Sequence, residues 1–176
     1  MGAIPEKAEV SEKNYATPVE GNFTDKLMPI TKDGKLKFGA PCAFINNHGD
    51  TIIPFGKYNV FKTDTLVTFT FVKDATNGVV GINRKGEVLF EAFIYGDVQI
   101  DHYSEGLIRV KQNNKIGYAD KKGNIVIKPK YCCAYPFKNG KAKVTFDCNE
   151  MRDEIDAPYS ESKTWFYINK EGKEMN

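Results

Sequence analysis

Four times along this chain an asparagine or aspartate is followed, three residues later, by a glycine. The pairs are Asn46 and Gly49, Asn83 and Gly86, Asp120 and Gly123, and Asn169 and Gly172. The glycines lie 37, 37 and 49 residues apart. Asx side chains favour the first position of a type I turn, where they bond the backbone two residues on. The fourth position requires positive φ, which glycine reaches without steric cost. A type I turn closed by such a glycine is a three-residue hairpin loop with a bulge. All four glycines are therefore expected at positive φ.

Apolar β-formers follow three of the turns: Ile52-Ile53, Val88-Leu89-Phe90 and Ile125-Val126-Ile127. A second element alternates with the first. "HYSEGLIRV" (102–110) matches "YPFKNGKAKV" (135–144), with residues 58–67 and 23–30 as worn copies. Asn113-Asn114 supplies another hairpin turn, since asparagine tolerates the left-handed region. No stretch has helical periodicity. The fold class that follows is all-β: an array of short antiparallel β-hairpin repeats, about 37 residues per unit, packed into a meandering twisted sheet stack. An open propeller-like arrangement is the alternative.

The phrase "YSEGLIRVKQNNKIGYADKKGNIVIKPKY" (103–131) resembles the bacterial WG repeat, whose pattern is F-x-E-G-L-A-x-V, then W-G-Y-I-D-x-x-G-x-x-V-I-x-P-x-Y. The resemblance extends over residues 23–176, about three and a half repeats. The Trp-Gly slot holds Cys42-Ala43, Val79-Val80, Ile116-Gly117 and Trp165-Phe166 in the successive units. The resemblance implies a protein often exported or in the cell envelope, with no common catalytic activity, and leaves function open; the function expected for the chain is a non-catalytic interaction or scaffold module. The ligand is left unassigned.

Residues 1–22 are polar and carry Pro5 and Pro18, which reads as a flexible tether ahead of a single β domain over 23–176. No signal peptide is visible. The chain is read either as cytoplasmic or, by preference, as a mature envelope or secreted domain with Met-Gly added ahead of it. No apolar run approaches the length of a membrane helix. The four cysteines, Cys42, Cys132, Cys133 and Cys148, lack the C-x-x-C spacing of a zinc site. Disulfides are permitted if the protein is exported, but four small buried or half-buried thiols are the expected role. Cys132 and Cys133 should leave opposite faces of a strand.

Candidate chemistry is sparse. His102 and Ser104 could pair as base and nucleophile, yet Ser104 fills a slot that polar turn residues fill in other units. The acids of 147–161 (Asp147, Glu150, Asp153, Glu154, Asp156 and Glu161) form an insertion without the spacing of a calcium loop. Tyr58, Tyr95 and Tyr131 recur near the repeat period and are expected to pack. No catalytic residue, metal ligand or cofactor is assigned; a hydrolase using Asp or Glu on repeat loops is the opposing reading.

Charge is the sharpest signal. Residues 109–143 hold ten bases and one acid, whereas 144–161 hold six acids and one base. Alternation pairs Arg109 with Lys111, Lys128 with Lys130, and Lys141 with Lys143 on strand faces. These six are the expected binding residues, forming one positive face that the acidic insertion covers or that an acidic protein or polysaccharide contacts. Nucleic acid is not favoured, because no recognition motif accompanies the charge.

Overall fold

The four turns share one hydrogen-bond pattern. In each, the glycine N–H donates to the carbonyl of the opening residue: Gly49 to Asn46, Gly86 to Asn83, Gly123 to Asp120 and Gly172 to Asn169, at 2.9–3.1 Å. The Oδ1 of that opening residue accepts two further backbone N–H groups. Those donors are His48 and Asp50, Lys85 and Glu87, Lys122 and Asn124, and Glu171 and Lys173. The glycines have φ of 86°, 72°, 86° and 75° in chain order. One side-chain oxygen thus satisfies two amides that a tight turn would otherwise leave without partners.

The turn sets the register of the strands around it. In all four units the residue before the turn pairs with the residue after it: Ile45 with Thr51, Ile82 with Val88, Ala119 with Ile125 and Ile168 with Glu174. In the first three, the ladder slips between the two residues preceding the Asn or Asp. That repeated bulge is the signature of the three-residue loop. Three of the intervening hairpins turn on two residues of positive φ, namely Glu105-Gly106, Asn113-Asn114 and Asn139-Gly140. Two successive left-handed residues match the twist of the flanking strands.

The computed structural model describes residues 12–62, 64–95, 99–152 and 158–175. Its strands are β1 (Met28–Ile30), β2 (Pro41–Ile45), β3 (Thr51–Val60), β4 (Phe69–Asp74), β5 (Gly78–Asn83), β6 (Val88–Ala92), β7 (Ile94–Tyr95), β8 (Gln99–Ile100), β9 (Ile108–Gln112), β10 (Lys115–Ala119), β11 (Ile125–Tyr131), β12 (Cys133–Ala134), β13 (Ala142–Thr145), β14 (Asn149–Arg152), β15 (Pro158–Glu161), β16 (Phe166–Ile168) and β17 (Glu174–Met175). Nine form one open antiparallel meander, in the order β1-β2-β3-β4-β5-β6-β9-β10-β11. The chain then bends at Cys132 and builds a second sheet, β12-β13-β16-β17. The pairs β7–β8 and β14–β15 are separate hairpins, the latter within the acidic insertion. The described residues contain no helix and no closed barrel, so the chain is all-β and its hairpin units stack.

Successive residues of one strand feed successive cores. Val72, Val80 and Ile82 join a cluster with Phe44, Ile53 and Leu66, while Phe71 and Val79 point into a second with Phe90, Ile108 and Val110. Ile116 and Tyr118, on the other face of β10, enter a third with Tyr131, Phe137, Val144 and Ile168. The middle units are therefore covered on both faces, which is why their strands are nearly continuously apolar.

Residues 12–20 depart from the expectation of a tether over 1–22. Ala16 donates to the Val88 carbonyl at 2.8 Å, and Tyr15 and Lys13 both reach Glu91, at 2.9 and 2.7 Å. Asn83, an opening residue of a turn, donates to the Thr17 carbonyl. The polar composition that suggested mobility is used for hydrogen bonds along the sheet. The remainder of that expectation, residues 1–11, lies outside the described residues.

Gly117 holds a different kind of necessity. A Cβ there would collide with the Ile127 carbonyl and the Pro129 backbone of β11. Neither is the movable end of a side chain, so the strands would have to separate. Gly117→Ala is expected to cost about 3 kcal/mol, read from the urea midpoint; a change below about 1 kcal/mol would contradict this close approach.

Candidate functional site

The residues nominated by charge separate into three environments. Arg109 is buried, 5% exposed. Its Nε and one terminal nitrogen donate to the two carboxylate oxygens of Asp101 at 2.8 and 2.9 Å, and its other terminal nitrogen donates to the Ala134 carbonyl at 2.8 Å. Its guanidinium lies 4.0 Å from the Phe93 ring centroid. Burial pushes the Asp101 carboxyl above its ordinary value and the Arg109 guanidinium down to about 10. Burial disfavours both charged forms, and the paired geometry offsets part of that cost. Alternation along β9 was read as placing Arg109 on an exposed face, but that face is covered by Ala134 and Tyr118 of the third core. Arg109 is a structural cation. Lys111 is half-buried, its ammonium 5.2 Å from the same Phe93 ring.

Lys128 and Lys130 are exposed on β11, the end strand of the meander. Pro129 between them has no amide to donate, which suits an edge. Lys141 and Lys143 belong to the second sheet. The six residues thus do not share one sheet face, because the chain bends between β11 and β12.

On the second sheet the lysines alternate with aromatic rings. Lys143 of β13 pairs with Tyr167 of β16, and Tyr167 pairs with Met175 of β17. On the other side, Tyr135 donates its backbone N–H to the Lys143 carbonyl. Tyr135, just after β12, therefore forms one row with Lys143, Tyr167 and Met175 of β13, β16 and β17. Their neighbours on the opposite face, Ala134, Val144 and Ile168, are buried. Tyr135 and Tyr167 remain 44% and 43% exposed.

Trp165 completes the surface. It stands 5.4 Å from Tyr135, ring centre to ring centre, with the Lys143 ammonium 5.0 Å from its own centroid. The Lys141 ammonium lies 4.5 Å from the Tyr167 centroid. Beside this row is a groove of about 480 Å³ whose lining includes Ser104, Tyr135, Lys138, Lys141, Lys143 and Tyr167. In the other units the slot equivalent to Trp165 holds Cys42, Val79 and Ile116, all buried. Only in the last unit is this slot half-exposed. Charge counting found the two lysines; the tryptophan and tyrosines were missed, although the single Trp of the chain was a visible signal.

The remaining candidates have structural partners. Ser104 donates its hydroxyl to the Phe137 carbonyl. Tyr58 and Tyr131 are 4% and 1% exposed, so neither offers a ring to a ligand. Tyr58 donates instead to the Gly86 carbonyl, tying one unit to the next turn. The side chains of Tyr95 and Glu150, and all of Asp153, Glu154 and Asp156, lie outside the described residues. So does most of the expectation that the insertion covers the basic face.

Two of the four cysteines differ from their expected role as thiols. Cys133 and Cys148 form a disulfide across the root of the insertion, while Cys42 and Cys132 are free. Strand pairing explains it: Cys133 lies opposite Thr145, three residues before Cys148.

Breaking the buried ion pair leaves an uncompensated charge. Asp101→Asn is expected to destabilise the protein by about 3 kcal/mol, whereas Lys128→Ser with Lys130→Ser should stay within about 0.5 kcal/mol. Denaturant titration separates the two; equal effects would show that Arg109 is not held as described.

A model described as a WG containing repeat matches residues 82–115 and 116–147. No curated protein and no solved structure matches the chain. The matched segments carry the turns of Gly86 and Gly123 and the ladder between them, so the two hairpin units over residues 82–147 match WG repeats.

Proposed function

We propose that the chain is a non-catalytic binding module whose ligand is an anionic polysaccharide, held by the row of Tyr135, Lys143, Tyr167 and the adjoining Lys141 and Trp165. The observation that carries this reading is the interleaving of half-exposed rings with ammonium groups on one face of the second sheet. A sugar ring presents C–H faces that stack on aromatic rings, and its carboxylate or sulfate groups attract lysine. Neither ring nor cation alone accounts for the arrangement. Exposed rings without a ligand leave apolar surface in water, and cations at this density repel one another.

The hydrolase reading has less support. The buried carboxylate of Asp101 is bonded through both oxygens to Arg109. Ser104 is committed to a backbone carbonyl. An acidic protein would satisfy the lysines but has less use for the rings.

Heparin and polyglutamate serve as probes of equal sign and different chemistry. Heparin is expected to bind at low ionic strength and to be released as salt rises. Lys141→Ser with Lys143→Ser should weaken it at least about tenfold, or about 1.4 kcal/mol. Tyr135→Ser with Tyr167→Ser should weaken heparin and leave polyglutamate nearly unchanged. Equal loss of both probes in the tyrosine variant would favour an acidic protein. No binding at low salt, or binding indifferent to both pairs, would remove the proposal.

A further inference from the structure

Consecutive residues in an unbroken strand send their side chains to opposite faces. Cys132 and Cys133 escape that rule because the chain bends at Cys132, between β11 and β12. The sulfurs of Cys132, Cys133 and Cys148 consequently lie within 4.8 Å of one another. Cys133 is bonded to Cys148. Cys132 Sγ sits 2.8 Å from Cys148 Sγ, and its thiol faces the Cys148 carbonyl at 3.5 Å. A free thiol in contact with one sulfur of a disulfide is the arrangement from which thiol–disulfide exchange begins.

We propose that Cys148 exchanges its disulfide partner between Cys133 and Cys132. Cys132 releases its proton to solvent, and the thiolate attacks Cys148 Sγ. The Cys132–Cys148 bond forms as the Cys133–Cys148 bond breaks. The electron pair of the broken bond remains on Cys133 Sγ, which takes a proton from solvent. One disulfide and one thiol exist before and after, so no oxidant or reductant is consumed.

The two pairings differ in shelter. Cys133 is buried, 5% exposed, while Cys132 is half-exposed. The bond they compete for anchors the acidic insertion, whose hairpin β14–β15 begins one residue after Cys148. The same root is tied by Thr145, whose hydroxyl lies 2.9 and 3.1 Å from those of Ser162 and Thr164. Exchange leaves the hairpin anchored but moves its covalent tie from an enclosed sulfur to one nearer solvent. There an external thiol reductant reaches it more readily.

The test uses the intact chain without reductant. Native protein is alkylated rapidly with excess reagent, and fragment spectra locate the label. Label on both Cys132 and Cys133 is expected. The Cys133→Ser variant should form Cys132–Cys148, and Cys132→Ser should form Cys133–Cys148, each leaving Cys42 as its remaining thiol. Label confined to Cys132 in the unaltered chain overturns the proposal. So does a Cys133→Ser protein in which Cys148 stays reduced, or an unaltered chain with no disulfide at all. The labelling of the unaltered chain needs no variant to fold.

Discussion

A single carboxamide or carboxylate oxygen, accepting two amides at the mouth of each turn, determines much of this structure. It holds the chain in a loop that closes only if the fourth residue has positive φ, and glycine is the residue that does so without strain. The loop then fixes which residues face each other across the hairpin. Because side chains alternate along a strand, a slip of one residue would exchange buried and exposed faces. The turn therefore decides whether Ile82, Ile116 and Ile168 meet a core or water.

The turns also join the units. The missing side chain of Gly86 faces Ile53 of the first unit, that of Gly123 faces Phe69 and Leu89 of the second, and that of Gly172 faces Ile127 of the third. Gly49 of the first unit faces open space. Each later turn thus closes over the unit before it, and Tyr58 reinforces one such joint through the Gly86 carbonyl. Stability in such an array is a sum of units and nearest-neighbour contacts. The bend at Cys132 ends the first meander and starts a second sheet. That change of direction separates Lys128 and Lys130 from Lys141 and Lys143, and it leaves the aromatic row on a sheet of its own.

The turns, the strands after them and the β class were legible because each depends on residues within five positions of one another. Asn113-Asn114 and the Asx-to-Gly spacing carry their geometry locally. Arg109 was not legible in the same way. Its alternation with Ile108 and Val110 is correct, but what covers the other face is Ala134, 25 residues away, and Asp101 across a connection. The Cys133–Cys148 bond was hidden for a related reason: a bend at one residue cancels the alternation that was applied to it. The surface row was half visible. Lysines announce themselves by charge, whereas exposure of Tyr135, Trp165 and Tyr167 depends on which face of the second sheet is left open. Sequence periodicity does not encode that choice.

The most direct measurement of the stacking claim is the stability of four single Gly→Ala variants at positions 49, 86, 123 and 172. Backbone strain is nearly common to all four, since their φ values span only 72–86°. Contact with the preceding unit differs. Gly49→Ala is expected to cost about 1 kcal/mol from strain alone. Gly123→Ala, whose methyl would meet Phe69 at 3.0 Å and Leu89 at 3.1 Å, should cost about 1–2 kcal/mol more, with Gly86→Ala and Gly172→Ala between them. Four equal losses would contradict the account, because they would mean that the turns close their own hairpins and do not hold the units together.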